Sequence, residues 1–218
     1  MYEIIHQLPF NGFQVRSILS LPTDAKSLII FSHTGSGGEV TPLEKEMAKH
    51  LQKEGFATLM YDFLHQYEKG YKIDIDVLSR GLVTSTLWLH DHSEYNLFKI
   101  GYFGVGTGAA SALKTAAQLE SIISGVVSLS GRTDLVHHEL SLVKCPVLLI
   151  AGELDFQGVK MNQKALKKLG GPKQLAVISG ASHLFEESKK LEEAKHITGS
   201  WFHKFLPTTP KGKWLQHK

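Results

Sequence analysis

Residues 100–113, IGYFGVGTGAASAL, combine two local patterns that decide the fold. The first six, IGYFGV, are apolar or glycine and include aromatic and β-branched side chains, as expected for a buried strand. The last five, AASAL, are rich in alanine, the strongest helix former. Glycine occupies every second position from Gly104 to Gly108 between them. The stretch therefore predicts a strand that passes through a tight turn directly into a helix.

The same alternation of strand and helix runs along the whole chain. β-rich runs, most of them near-continuous apolar stretches bounded by Gly or Pro, are predicted at residues 13–21, 27–33, 57–62, 98–103, 124–130, 147–152 and 174–179. Helical periodicity is found after residue 41 and over residues 75–89, 107–120, 159–169 and 191–205. This order predicts an α/β fold with a doubly wound, mostly parallel sheet and helices on both faces.

The first of these helices carries explicit end signals. Thr41 and Glu44 form a capping-box pattern, and Pro42 stands at the first helical position. Gly55 follows the last residue of the apolar stripe. The pattern predicts a helix of about three turns.

Length and charge indicate a single globular domain. The chain has 218 residues, of which 42% are hydrophobic and 21% charged, values typical of soluble proteins. We predict one domain over residues 1–206 and a short basic tail over residues 207–218. The tail contains three lysines and no acidic residue, which accounts for the net charge of +3. A neutral domain argues against nucleic-acid binding, which needs basic residues gathered on one face.

Cysteine usage and hydropathy favour a cytoplasmic protein. Cys145 is the only cysteine, so an intrachain disulfide cannot form, and its place before an apolar run predicts a structural role. No positive charge precedes Arg16, unlike a signal peptide. The longest apolar stretch, residues 147–151, is far shorter than the roughly 20 residues of a membrane span. We expect no contact with membranes.

Two pairs of histidines raise the question of a metal site. His90 with His92, and His137 with His138, lack Cys or carboxylate partners at the spacing of known zinc motifs. We interpret them as solvated positions. The sequence predicts neither a metal nor a cofactor.

Loops that follow the carboxyl ends of the strands carry the functional residues of such sheets. The turn 104–108 resembles the GxSxG nucleophile elbow of the α/β-hydrolase superfamily, and the chain is similar to its small dienelactone-hydrolase-like members without a large lid. Residues 33–38 resemble the oxyanion loop of the family. Residues 151–159, AGELDFQGV, resemble its acid loop, and residues 179–187, SGASHLFEE, its histidine loop. The resemblance covers most of the chain and keeps the family's order of elbow, acid and histidine.

The resemblance implies a role for several residues. His183 would be the general base and Asp155 the acid that orients it, although Glu153 stands two residues away as a rival. The backbone amides of Thr107 and Gly35 would form the oxyanion hole.

Two further loop residues are candidate substrate contacts. Ser36 lies in the oxyanion loop. Arg132 follows the strand 124–130 and would either bind an anionic group of the substrate or pair with Asp134.

Four aromatic residues lie around the loop after the strand 57–62, and they would form either an aromatic wall or an interface: Tyr61, Phe63, Tyr67 and Tyr71.

The sequence departs from the family pattern at one decisive position. Gly106 stands where the nucleophile of the elbow is expected, and glycine cannot form an acyl-enzyme. A Thr107 side chain would start one helical step away and is a poor substitute. Three hypotheses remain: a binder of a small ester, lactone or similar molecule, a hydrolase in which His183 and Asp155 activate water, and an engineered deletion of the nucleophile. The sequence leaves the substrate and the oligomeric state open.

Overall fold

A computed structural model describes residues 1–32, 39–63, 66, 69–70 and 74–207 of the chain. Within these residues, the strands are β1 (Tyr2–Phe10), β2 (Phe13–Leu21), β3 (Ser27–Ser32), β4 (Ala57–Asp62), β5 (Lys99–Val105), β6 (Ile123–Leu129), β7 (Val147–Gly152) and β8 (Lys173–Ile178). The α-helices are α1 (Pro42–Lys53), α2 (Ile75–Asp91), α3 (Thr107–Gln118), α4 (Phe156–Lys168) and α5 (Lys190–Phe205). Two 3₁₀ turns, Thr133–Val136 and Leu140–Leu142, lie between β6 and β7.

The strands form one sheet in the order β1-β2-β4-β3-β5-β6-β7-β8. The pairs β1–β2 and β2–β4 are antiparallel, whereas the pairs from β4 to β8 are parallel. The chain moves outward from β3 to β4 and then returns to the other side of β3 for β5. This reversal of winding is the place where ligands bind in doubly wound sheets. The predicted fold class, a doubly wound and mostly parallel sheet, is confirmed.

Helices cover both faces of the sheet, and each face has its own apolar core. On one face the strands pack against α2, α3 and α4 through residues such as Leu82, Leu113 and Ala165. On the other face they pack against α1 and α5 through residues such as Leu51 and Phe202. The periodic apolar positions seen in the sequence are therefore the buried faces of these helices.

The sequence analysis missed strand β1. It pairs with β2 through a two-residue hairpin in which Asn11 and Gly12 both have positive φ, 45° and 85°. An Asn-Gly pair between two strands is a strong hairpin signal, because both residues adopt this backbone conformation readily. The Asn11–Gly12 pair is therefore the sequence signal for this hairpin.

The ends of the helices follow from local side chains. The capping box of α1 is confirmed: the Thr41 hydroxyl accepts the Glu44 N–H, and the Glu44 carboxylate accepts the Thr41 N–H at 2.9 Å. Helix α4 begins at Phe156, three residues before the predicted start. The reason is that the Asp155 carboxylate caps it by accepting the Gly158 N–H at 2.9 Å.

Cys145 lies at the amino end of β7, and burial raises the pKa of its thiol to about 12. The side chain therefore stays protonated and packs as an apolar group, as predicted. Among the residues described, we find no helix that is both long and apolar enough to cross a membrane.

Candidate active site

The glycine turn after β5 has an unusual backbone. Gly106 has φ 54° and ψ −119° and is the N-cap of α3. Its N–H donates to the Leu129 carbonyl at 3.2 Å, and its carbonyl accepts the Arg132 N–H at 3.0 Å. Positive φ is strained for a residue with a side chain but free for glycine. The turn is thus held on both sides by the end of β6.

Gly104 and Gly106, two of the three glycines of this turn, serve different purposes. A Cβ atom on Gly104 would lie 2.6 Å from the Ala109 nitrogen and 2.7 Å from the Gly108 carbonyl carbon, so this position requires glycine for close packing of strand and helix. A Cβ atom on Gly106 would meet no heavy atom of the described residues within 4 Å. The described residues therefore leave room for a side chain at Gly106.

His183 and Asp155 meet at the carboxyl ends of β7 and β8. The distance from His183 Nδ1 to Asp155 Oδ2 is 2.7 Å, and the exposed fractions of the two side chains are 51% and 19%. Partial burial opposes ionisation of Asp155, but hydrogen bonds from His183 and the Gly158 N–H outweigh it and lower the pKa of the carboxyl. An ionised carboxylate only accepts, so Nδ1 donates and Nε2 of a neutral ring is left as the acceptor.

Residues that the sequence analysis did not single out hold the histidine loop in place. The Ser130 hydroxyl donates to the His183 carbonyl at 2.8 Å. The Glu187 carboxylate accepts the Ser182 N–H at 3.0 Å. Ser130 itself has φ 47°, a conformation that is uncommon outside glycine. Hydrogen bonds between residues 53 positions apart leave no local pattern, so no sequence signal could have revealed the Ser130 contact.

Glu153, the rival acid, faces another part of the same loop. Its carboxylate accepts the Gly180 N–H and the Ser179 hydroxyl, both at 2.8 Å. These two bonds lower the pKa of Glu153. Of the two candidate acids, Asp155 is the one in contact with the His183 ring.

A cavity of about 770 Å³ extends from the glycine turn to the segment that follows His183. Gly106, Thr107 and Leu184, the residue after His183, line it together. Its other lining residues come from the end of β5, from α1 and its N-cap, from the segment 185–189 and from the start of α5: Val105, Thr41, Pro42, Leu43, Glu44, Glu46, Phe185, Glu186, Glu187, Ser188, Lys189, Leu191 and Glu192. The glycine turn and the histidine loop therefore open onto one cavity, whose lining combines apolar residues with several carboxylates.

The amino end of α3 faces this cavity at Thr107. The first amides of a helix have no partner within the helix. In the residues that the structure describes, no hydrogen bond to the Thr107 N–H is found.

Arg132 forms an ion pair with Asp134, and its contact with a substrate stays a prediction. Its guanidinium donates two hydrogen bonds to Asp134, at 2.9 and 2.8 Å, and the pair is exposed. The Asp134 pKa is lowered by the hydrogen bond from Arg132.

Tyr61 and Phe63, for which the sequence left open an aromatic wall or an interface, form neither. Tyr61 and Phe63 are fully buried in the core, and the Tyr61 hydroxyl lies 2.6 Å from the Ser85 hydroxyl. Tyr61 belongs to β4, where alternate side chains face the helices. Gly35, Ser36, Tyr67 and Tyr71 lie outside the described residues, as does the tail beyond residue 207.

Fold and site together define the class of the protein. The sheet order, the strand-turn-helix at Gly106 and the carboxyl-end position of Asp155 and His183 are those of the α/β-hydrolase fold. Residues 15–205 match the Dienelactone hydrolase family, and the chain belongs to that family.

The chain is similar to known proteins in sequence and in structure. The crystal structure of dienelactone hydrolase from Anabaena variabilis is 34% identical with a TM-score of 0.89, covering 94% of this chain and 99% of that one. A lidless α/β serine hydrolase from Xanthomonas campestris is 20% identical with a TM-score of 0.75, covering 96% and 98%, and supports the fold alone. Two Mycobacterium tuberculosis proteins named putative phosphoribosyl transferase are 35% identical over 187 residues. That match covers 84% of this chain but only 42% of theirs.

Proposed function

We propose that the protein binds a small ester- or lactone-like molecule in the cavity beside His183, and that Gly106 occupies the nucleophile position of the fold. The observation that carries this proposal is the backbone of Gly106, which combines positive φ, a place between β5 and α3 and no side chain. Acyl transfer through an enzyme-bound ester needs a hydroxyl or thiol at that position. We infer that covalent catalysis is blocked while the binding cavity is kept.

The remaining groups have clear roles in holding such a ligand. The Thr107 N–H, together with the Gly35 N–H, would donate to the carbonyl oxygen of the ester or lactone. His183, oriented by Asp155, would present Nε2 to a hydroxyl or a water beside the carbonyl. Ser36 is proposed as a further polar contact with the ligand. Arg132 would contribute only after release from Asp134.

A second candidate function is favoured by the space that the described residues leave at Gly106 and by the orientation of His183. A water molecule in that space would attack the carbonyl carbon while Nε2 takes its proton. The Thr107 amide would stabilise the oxyanion, and the imidazolium would then return the proton to the departing alkoxide. This hydrolysis needs no covalent intermediate.

The phosphoribosyl transferase named in the mycobacterial relatives is not proposed for this chain. The matching segment is 42% of each of those proteins, and it is the segment that has the α/β-hydrolase fold here. A name given to a longer protein describes more than this segment.

The proposal is tested by binding of a simple lactone. We expect δ-valerolactone to bind in isothermal titration calorimetry, and Leu184→Trp to abolish the binding by filling the cavity. Leu184 is 51% exposed, so the larger side chain should not disturb the core. Leu97→Trp, at a position 88% exposed and away from the cavity lining, is the matched control. Unchanged lactone binding by Leu184→Trp would refute the assignment of the cavity.

Ester hydrolysis distinguishes the two candidate functions. We expect the natural chain to be nearly inert on 4-nitrophenyl acetate, because an oxyanion hole and binding alone give about 10³–10⁴-fold acceleration over water. His183→Ala should then change the rate little. Turnover in the usual range of about 1–10³ s⁻¹ that His183→Ala abolishes would instead establish the water-activating mechanism.

A further inference from the structure

A second cavity, of about 810 Å³, lies away from the candidate active site and shares no lining residue with it. It is a groove between α4 and the two 3₁₀ turns that precede β7. The residues that line it are Thr133, Asp134, His137, Leu140, Gln157, Lys160, Met161, Lys164, Ala165, Lys167 and Lys168. Four of them are lysines on one helix.

The lysines of the groove have no compensating charge. Helix α4, whose sequence is FQGVKMNQKALKK, contains no acidic residue. Over the described part of the chain, none of the four lysines forms an ion pair or a side-chain hydrogen bond. Asp134 is the one carboxylate in the lining, and both of its oxygens accept hydrogen bonds from Arg132. The groove is therefore strongly positive.

Helix stability accounts for only part of this charge. Lys167 and Lys168 lie in the last turn of α4, where cations interact favourably with the helix dipole. Lys160 and Lys164 lie in the middle of the helix, four residues apart. Like charges at this spacing repel each other and destabilise a helix by a few tenths of a kcal/mol. An anion bound between them would remove that repulsion.

The bottom of the groove is suited to an organic group rather than to a bare ion. Leu140 and Ala165 are buried and Met161 is half-buried. The hydroxyl of Thr133 is also buried and has no hydrogen-bond partner among the described residues. Apolar contacts with a few convergent polar groups, in a volume of roughly 300–1,000 Å³, are typical of small-molecule sites.

We propose that this groove binds a phosphorylated organic molecule, with its phosphate groups on Lys160 and Lys164 and its organic part against Met161 and Leu140. Ammonium groups act as point charges toward phosphate oxygens. Positions i and i+4 of a helix are about 5–6 Å apart at Cβ, which suits two phosphate groups of one ligand.

The test is calorimetric titration with ADP, which carries two adjacent phosphate groups and an aromatic base. We expect ADP to bind and adenosine, which lacks the charge, not to bind. The double variant Lys160→Gln/Lys164→Gln should weaken ADP binding at least tenfold. Lys45→Gln/Lys49→Gln makes the same charge change at the same i, i+4 spacing on α1 and should leave ADP binding unchanged. Circular dichroism checks that both variants fold.

Three outcomes would overturn the proposal. The first is absence of ADP binding to the natural chain. The second is an equal loss of affinity in both double variants, because that would mean nonspecific attraction by the net charge. The third is co-sedimentation of the protein with phosphatidylglycerol vesicles, in the absence of any ADP binding, that is lost in the Lys160→Gln/Lys164→Gln variant. That result would assign the lysines to a lipid surface. None of these outcomes bears on the lactone site, since the two cavities are separate.

Discussion

Gly106→Ser should turn this protein into an esterase. The substitution places a hydroxyl at the turn between β5 and α3, next to the cavity that Thr107 and Leu184 also line. In a serine protease, loss of the nucleophile costs about 10⁶ in kcat. Even partial restoration should therefore raise the turnover of 4-nitrophenyl acetate by roughly a hundredfold or more. Intact-mass spectrometry should detect the acetylated protein.

The local geometry determines what the substitution costs. A Cβ atom at residue 106 meets no described heavy atom within 4 Å, so the new side chain causes no steric clash with them. The φ of 54° remains, and a side chain in that conformation costs about 1–2 kcal/mol. We expect the free energy of unfolding to fall by about that amount. Gly106→Ala is the matched control, because it introduces the same strain without a hydroxyl.

The result separates loss of the nucleophile from loss of the whole site. The melting temperature shows whether Gly106→Ser folds. If the folded variant is no more active than Gly106→Ala and forms no acyl-enzyme, more than one part of the hydrolase machinery is missing. Lactone binding by the natural chain would then stand as the function of the cavity. Activity in both variants would mean that the hydroxyl is not the nucleophile.

The fold could be predicted from short-range signals. The glycine turn in residues 100–113, the Thr41–Glu44 capping box and the apolar runs each act within a few residues, and each is found at its predicted place. Strand β1 was missed because Ile4 and Ile5 are adjacent, which interrupts the alternation of apolar and polar residues. The Asn11–Gly12 turn was the better signal there.

The candidate site was predictable in its order along the chain but not in its supporting contacts. The contact between Asp155 and His183 was predicted from the resemblance to a known family. Each of the two residues lies in the loop that follows a strand of the sheet. The Ser130 hydroxyl and the Glu187 carboxylate hold the histidine loop through bonds that depend on the tertiary structure. The lysine groove is also invisible in sequence, because its apolar bottom is built partly from a 3₁₀ turn remote from α4.

Asp155→Asn should abolish most of the activity that Gly106→Ser creates. Asp155 accepts the Nδ1 hydrogen of His183 at 2.7 Å, and its lowered pKa keeps it ionised at neutral pH. An asparagine amide can present its N–H to Nδ1, which would place the ring hydrogen on Nε2 and remove the base. The corresponding substitution in trypsin lowers kcat by about 10⁴, and we expect a loss of similar order here.

Two features make this substitution a clean test of the dyad. Asparagine is as good an N-cap as aspartate, so α4 should keep its start at Phe156 and the melting temperature should change little. Glu153→Gln in the same Gly106→Ser background is the control, because Glu153 lies in the same loop but binds the Gly180 N–H and the Ser179 hydroxyl instead of His183. The side-chain carbonyl oxygen of the new glutamine would still accept the Gly180 N–H. A loss of activity as large for Glu153→Gln as for Asp155→Asn would mean that the loop conformation, rather than the orientation of His183, limits the reaction.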